Sequence, residues 1–351
     1  MSEKRMLRPG SMLGRNRVES LVGSRQNAEV YRARHPDFKQ DIALKVLNPN
    51  IPQNDAIIAR FRQEAQAIVN LKHPNIIRMH EFDLSGGLYY QVMEFIEGSS
   101  LRDLISAHPT GVAREDLLRI FNQIASAIAY SHEQQVMHGN IKPDNVLLDA
   151  NLRPVLTDFR VPCLSQFMQA QAGDNPAYLA PEQATQGTLD IPVDIYQLGI
   201  LLYEMATGEV PFDAGNRTAT INQHLSQPPR PPSELNVNLD PRIERVILKA
   251  LNKKPADRYA SAREMLGDIE RQEATSLYET VSLNRKAAEE VRKRRSEIVR
   301  FEQSRADLPA FDDDVSGLAL PDAAREIPLA VIIAGIIVLV AIIITVILLM
   351  L

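Results

Sequence analysis

The sequence predicts an α+β chain in two lobes, a small strand-rich one followed by a larger helical one, with a transmembrane helix at its C-terminal end. Three observations carry that prediction. Residues 16 to about 95 break into short β-leaning runs around a single helix; residues from about 100 to 271 place apolar side chains at helical spacing; the last 25 residues hold no charge. A length of 351 residues leaves room for one large domain, or two ordinary ones, plus appendages. With 45% hydrophobic and 24% charged residues, the composition excludes wholesale disorder and a collagen-like repeat. Cys163 is the single cysteine, so an intramolecular disulfide framework is excluded. A net charge of -5 leaves no basic footprint and argues against nucleic acid as a partner.

In the small lobe, 18–23, 28–33 and 42–47 read as strands separated by polar turns. Residues 56–71 carry Ile57, Ile58, Phe61, Ala65, Ile68 and Val69 at helical spacing and stop before His73-Pro74. Strands at 76–82 and 88–95 follow, joined by the turn Ser85-Gly86-Gly87. The large lobe holds a strongly apolar helix at 117–132, another at 193–207, and shorter amphipathic ones at 241–251 and 261–271. A cleft between two such lobes is a natural place for a ligand.

The remaining segments read as a mooring. Residues 1–15 form an N-terminal extension to a domain at 16–271, and the opening MSEKRMLRPG lacks the apolar core of a signal peptide. A charged juxtamembrane helix is expected at 272–305, where eight basic and four acidic residues fall between 285 and 305. Its heptad seam is too broken for a coiled coil. The acidic stretch 306–326, with Pro309, Pro321 and Asp312-Asp313-Asp314, reads as a flexible linker. Residues 327–351, IPLAVIIAGIIVLVAIIITVILLML, would span roughly 36 Å as a helix from Pro328, enough for a hydrocarbon core of ~30 Å. The expectation is a single-pass protein anchored C-terminally in the cell membrane, its globular part cytoplasmic. A dimer through the juxtamembrane or transmembrane helix is a weaker expectation, from the small pair Ala330 and Ala334.

Chemistry-bearing residues recur in a fixed order. Lys45 ends Ile42-Ala43-Leu44-Lys45 on a strand, and Glu64 follows on the helix. Then come Met93-Glu94-Phe95-Ile96, the loop His138-Gly139-Asn140-Ile141-Lys142-Pro143-Asp144-Asn145, Asp158-Phe159-Arg160, Ala180-Pro181-Glu182, Asp194 in a helix, and Arg258. From about Val18 to Arg271 these motifs together resemble the protein kinase family, most closely the bacterial Ser/Thr kinases of eukaryotic type. The resemblance implies a two-lobed protein kinase fold, with ATP and Mg²⁺ as cofactors and a protein as substrate or partner.

It also implies roles. Lys45 and Glu64 would form an ion bridge that points the ammonium at the α- and β-phosphates. Gly23, Val30, Ala43, Glu94 and Ile96 would surround the nucleotide, with Met93 packing behind it. Asn145 and Asp158 would hold Mg²⁺ by oxygen, and Lys142 would meet the transferred phosphate. His138 and Phe159, with Ile68, would pack between the lobes. Glu182 and Arg258 would form a buried pair, and Asp194 would hold the catalytic-loop backbone.

Departures from the family pattern cluster at catalytic positions. The phosphate loop reads Gly23-Ser24-Arg25-Gln26-Asn27-Ala28-Glu29-Val30, so Arg25 and Ala28 replace two glycines. Gly139 and Asn140 replace the family's arginine and aspartate, and an amide has no useful basicity. Arg160 replaces the glycine of the metal turn, and Asn175 a threonine. Two functions remain open: a pseudokinase acting as signalling scaffold or regulator, with weakened or altered ATP binding, or a slow Ser/Thr kinase using Lys45, Lys142, Asn145 and Asp158. Arg25 and Arg160 are expected near the phosphates, where they would replace metal charge or close the site onto Glu64 and Asp158; the alternative points both to solvent. Cys163 is expected to be a packing residue.

Overall fold

Side-chain alternation on two short strands decides which residues reach the cleft. In β4 (Ile42–Leu47), Ile42, Leu44 and Val46 join a core cluster on the outer face of the sheet, while Ala43 and Leu47 join the inner one. Lys45 shares the inner parity and so faces inward. The same rule sends Tyr90 and Val92 of β6 (Leu88–Glu94) outward and Tyr89 and Met93 inward.

The computed structural model describes residues 5–25, 28–47, 55–163, 176–185 and 190–271, together with 289 and 292. The chain divides between Thr280 and Val281, and the elements named here lie in the first part. Among the described residues no helix is long and apolar enough to cross a membrane. The expected span at 327–351, the linker and nearly all of the juxtamembrane helix lie outside them, as does Asn175.

The small lobe is an antiparallel sheet ordered β1-β2-β3-β4-β6-β5, with β1 (Met12–Leu13), β2 (Asn16–Arg25), β3 (Ala28–Arg34) and β5 (Met79–Ser85). Helix α1 (Asp55–Val69) buries Phe61, Ala65 and Ile68. Two details differ from the sequence reading. β5 begins at Met79 rather than 76, because the backbone of Asn75 and Ile77 is taken by Leu156 (2.9 and 2.8 Å), which ties the lobes together. Ahead of residue 16, Leu13 is buried in a strand, and the Met6 and Leu7 amides bond to the Glu29 carboxylate (2.8 Å) and Tyr31 hydroxyl (2.9 Å).

The large lobe holds α2 (Leu101–Ser106), α3 (Arg114–Glu133), α4 (Pro181–Ala184), α5 (Ile191–Thr207), α6 (Arg217–Ser226), α7 (Pro241–Ala250) and α8 (262–271). A small antiparallel sheet of β7 (Gly98–Ser100), β8 (Val146–Asp149) and β9 (Pro154–Leu156) carries the loops of the site. Helix α5 is buried on every face from Val193 to Thr207, as its near-continuous apolar sequence requires. Three of its buried polar residues, Asp194, Gln197 and Glu204, bond to segments that shape the site.

His224 on α6 gives the fold a pH dependence. The ring is buried beside Phe212, with Nδ1 3.0 Å from the Tyr196 hydroxyl. Burial, reinforced by the Lys253 charge, pushes its pKa down to about 3. The unfolded chain therefore binds a proton near pH 6.5 that the folded chain refuses. Stability from this group is complete above pH 6.5 and falls as the pH drops toward 3, by roughly 1.4 kcal/mol per pH unit. Urea unfolding at pH 7.5 and pH 5.0 is expected to show that loss, and His224→Gln to flatten it. An unchanged slope in the variant contradicts the assignment.

Candidate functional site

The lobes enclose a cleft of ≈ 1250 Å³, lined among others by Val22, Gly23, Val30, Ala43, Lys45, Met93, Glu94, Ile96, Asn140, Lys142 and Asp158. Most of the residues assigned to nucleotide and catalysis thus share one cavity. Asn145 is not on the wall: it is 1% exposed, and its Nδ2 donates to the Asn140 carbonyl at 2.8 Å.

The expected Lys45–Glu64 bridge is not formed. Lys45 Nζ instead lies 2.6 Å from Asp158 Oδ1. Glu64 is taken on both oxygens, by Arg60 Nε one helical turn away (2.7 Å) and by the Cys163 amide (2.7 Å). Lys45 and Glu64 each find a partner in residues 158–163, far along the chain. Asp158 sits at φ +65°, sparsely populated for a non-glycine residue, with its carboxylate against the lysine. The segment that follows places the Cys163 amide against Glu64. Cys163 itself is buried, which pushes its thiol up to about 12, in keeping with a packing role.

Lys45 pairs with Asp158, and the aliphatic stem of Arg160 lies against Gly139. Arg25 ends β2, its backbone paired with Ala28, and its side chain lies outside the described residues. The β2–β3 pairing runs on into the expected phosphate loop, with Gly23 opposite Val30 and Arg25 opposite Ala28. Losing two glycines removes the residues that would weaken such pairing. At Gly23 a Cβ would meet nothing within 4 Å, so no contact demands glycine there.

The scaffold residues stand in well-bonded places. Asp194, fully buried on α5, accepts the amides of His138 (2.8 Å) and Gly139 (2.7 Å), and His132 Nε2 at 2.9 Å. His138 stacks on Phe159 with ring centres 4.4 Å apart. Burial holds the His138 imidazole below its ordinary pKa, so the ring is neutral. Its Nε2 donates to the Thr157 carbonyl (2.9 Å) and its Nδ1 accepts the Asn140 amide (3.2 Å), which fixes the tautomer. Arg258 grips both oxygens of Glu182, at 2.7 and 2.8 Å, and spends its other donors on the Asn252, Lys253 and Pro192 carbonyls.

Two features escaped the sequence reading. Gln197 Oε1 accepts the Ile141 amide at 2.8 Å, which braces the catalytic loop. A cluster joins buried Glu204 to half-buried Arg102 and the Tyr178 hydroxyl, with Arg102 Nη2 2.6 Å from that hydroxyl. Burial, then the Glu204 charge, drives the Tyr178 hydroxyl well above its ordinary pKa. The available signal was a lone glutamate inside the apolar run of α5.

Oxygen chemistry suits a hard cation that brings its own ligands. Among the described residues no cluster of three or more His, Cys, Asp or Glu could hold a metal. Asp158 supplies a carboxylate to the cleft and Asn145 an amide just behind it. Such a sparse donor set fits Mg²⁺ that arrives with nucleotide phosphates.

Comparison with known proteins agrees with this geometry. The protein kinase domain model matches residues 17–268. Serine/threonine-protein kinase PrkC of Bacillus subtilis (strain 168) is 35% identical over 264 residues, covering 73% of this chain and 40% of that protein. Serine/threonine-protein kinase PknB of Mycolicibacterium smegmatis is 33% identical over 275 residues, covering 75% of this chain and 44% of that protein. This chain thus spans about two fifths of the length of those relatives. Among solved structures, the PknI kinase domain of Mycobacterium tuberculosis aligns with a TM-score of 0.64 at 27% identity, covering 76% of this chain and 99% of that one. The chain belongs to the protein kinase family and is a homologue of the bacterial Ser/Thr kinases of eukaryotic type.

Proposed function

We propose that this chain is a membrane-anchored pseudokinase, a signalling scaffold or regulator that binds a protein partner and takes up ATP with altered metal dependence. The observation that carries the reading is Asn140. It lines the cleft beside Lys142 where the family's base stands, and its amide cannot accept the proton of a substrate hydroxyl. The closed pair Lys45–Asp158 supports it further, because nucleotide phosphates and metal each need one partner of that pair. The uncharged stretch 327–351 supports the membrane anchor, with the kinase-like domain on the cytoplasmic side. Lys45, Lys142 and Asp158 lining one cleft favour the second reading, a slow Ser/Thr kinase that transfers the ATP γ-phosphate to protein hydroxyls.

The test uses the full chain. Radiolabelled phosphate transfer from Mg·ATP is expected to be no greater than for an Asp158→Ala control, and transfer above that control overturns the pseudokinase reading. ATP is expected to raise the unfolding temperature of the wild type and not of Lys45→Ala.

A further inference from the structure

The two positions where glycine and arginine have changed places relative to the family pattern touch each other. Gly139 stands at φ +71°, and a Cβ built there would meet Arg160 Cδ at 3.1 Å, Met137 Cε at 3.3 Å and Arg160 Cβ at 3.6 Å. The aliphatic stem of Arg160 therefore lies over the bare Cα of Gly139, in space that any other residue at 139 would contest.

We propose that Arg160 and Gly139 form a steric interlock that holds the Asp158 turn in its Lys45-paired arrangement. Among the described residues, three ties join residues 158–160 to the loop at 138–139. Phe159 stacks on His138, the Arg160 amide donates to the His138 carbonyl at 3.0 Å, and the Arg160 stem covers Gly139. Asp194 anchors the loop side through the His138 and Gly139 amides. A glycine at 160 keeps the first two ties and loses the third, and it also frees the backbone next to a residue already in the left-handed region. Arg160 is thus a positioning residue: it acts on the nucleotide site through Asp158, not by touching phosphate. The consequence for binding rests on the nucleotide reading above, whereas the interlock itself does not.

Hydrogen exchange by mass spectrometry on the nucleotide-free full chain separates the two. After correction for intrinsic rates, the peptide covering 157–163 is expected to exchange roughly tenfold faster in Arg160→Gly than in wild type. Arg160→Ala, which removes the stem without adding backbone freedom, is expected to do the same; it also keeps the test alive should Arg160→Gly fail to fold. Arg160→Met, with a similar stem and no charge, is expected to stay protected. Wild-type protection in Arg160→Gly, or exchange in Arg160→Met as fast as in Arg160→Gly, overturns the interlock. In a second arm, Arg160→Gly is expected to bind Mg·ATP roughly fivefold more tightly, because less of the binding energy goes into opening the turn. Equal affinity removes the link between the interlock and the site. If exchange differs as expected and none of the four proteins binds ATP, the interlock stands and the nucleotide reading falls.

Discussion

Asn140→Asp is expected to raise phosphate transfer by the full chain about 10²–10⁴-fold above the wild type, the usual contribution of a positioned base. The substitution is isosteric, and the bonds that fix position 140 are made by its backbone: the amide to His138 Nδ1 and the carbonyl from Asn145 Nδ2. A carboxylate would enter the same cleft as Lys142 without rebuilding the loop. Radiolabelled transfer to a generic protein substrate measures the gain, and adding Asp158→Ala in the same chain is expected to abolish it. A variant that stays at the Asp158→Ala baseline refutes the idea that the base is the principal block. The obstacle would then be the Lys45–Asp158 pair, and Arg160→Gly added to Asn140→Asp is the variant that addresses it.

Arg258→Ala is expected to destabilise the fold by about 3–5 kcal/mol, because it leaves Glu182 charged and unpaired in a largely buried place. The Arg258 side chain has no exposed surface and that of Glu182 is 13% exposed. Four of the guanidinium's five hydrogen bonds come from its two terminal nitrogens, two to the carboxylate and two to carbonyls. Arg258→Lys is expected to recover less than half of the loss, since a point charge cannot serve a bidentate carboxylate and three carbonyls at once. Urea unfolding at neutral pH measures both variants. A loss below about 1 kcal/mol for Arg258→Ala would place the pair among ordinary surface bridges.

Much of the fold was legible because its signals are local. Strand 42–47 was read with the bounds it has, and the polar turn at 85–87 with the strands it joins. The apolar pattern at 193–207 marked α5, and it extends only to Ile191 beyond that reading. The ordered motifs pointed to Glu182, Arg258 and Asp194; in the structure Arg258 bonds both Glu182 oxygens and Asp194 accepts the His138 and Gly139 amides. Misreadings arose where a long-range partner decided the outcome. Residues 76–78 look like strand, yet Leu156, far along the chain, takes the neighbouring backbone groups. The Glu204–Arg102–Tyr178 cluster joins residues from three elements, and no spacing announces it.

The sequence by itself determined the family and the order of the elements. Each of those follows from residue type and from periodicity along the chain, which the backbone reads locally. Only the tertiary structure decided which charges pair. Lys45, Glu64, Arg160 and Asp158 are each compatible with several partners on the basis of type. The choice falls to the left-handed turn at Asp158, to the bare Cα of Gly139 that admits the Arg160 stem, and to the Cys163 amide that draws Glu64 away from Lys45. Electrostatic attraction within a few ångströms is strong but indifferent to order in the chain, so the backbone that sets those distances selects the pair.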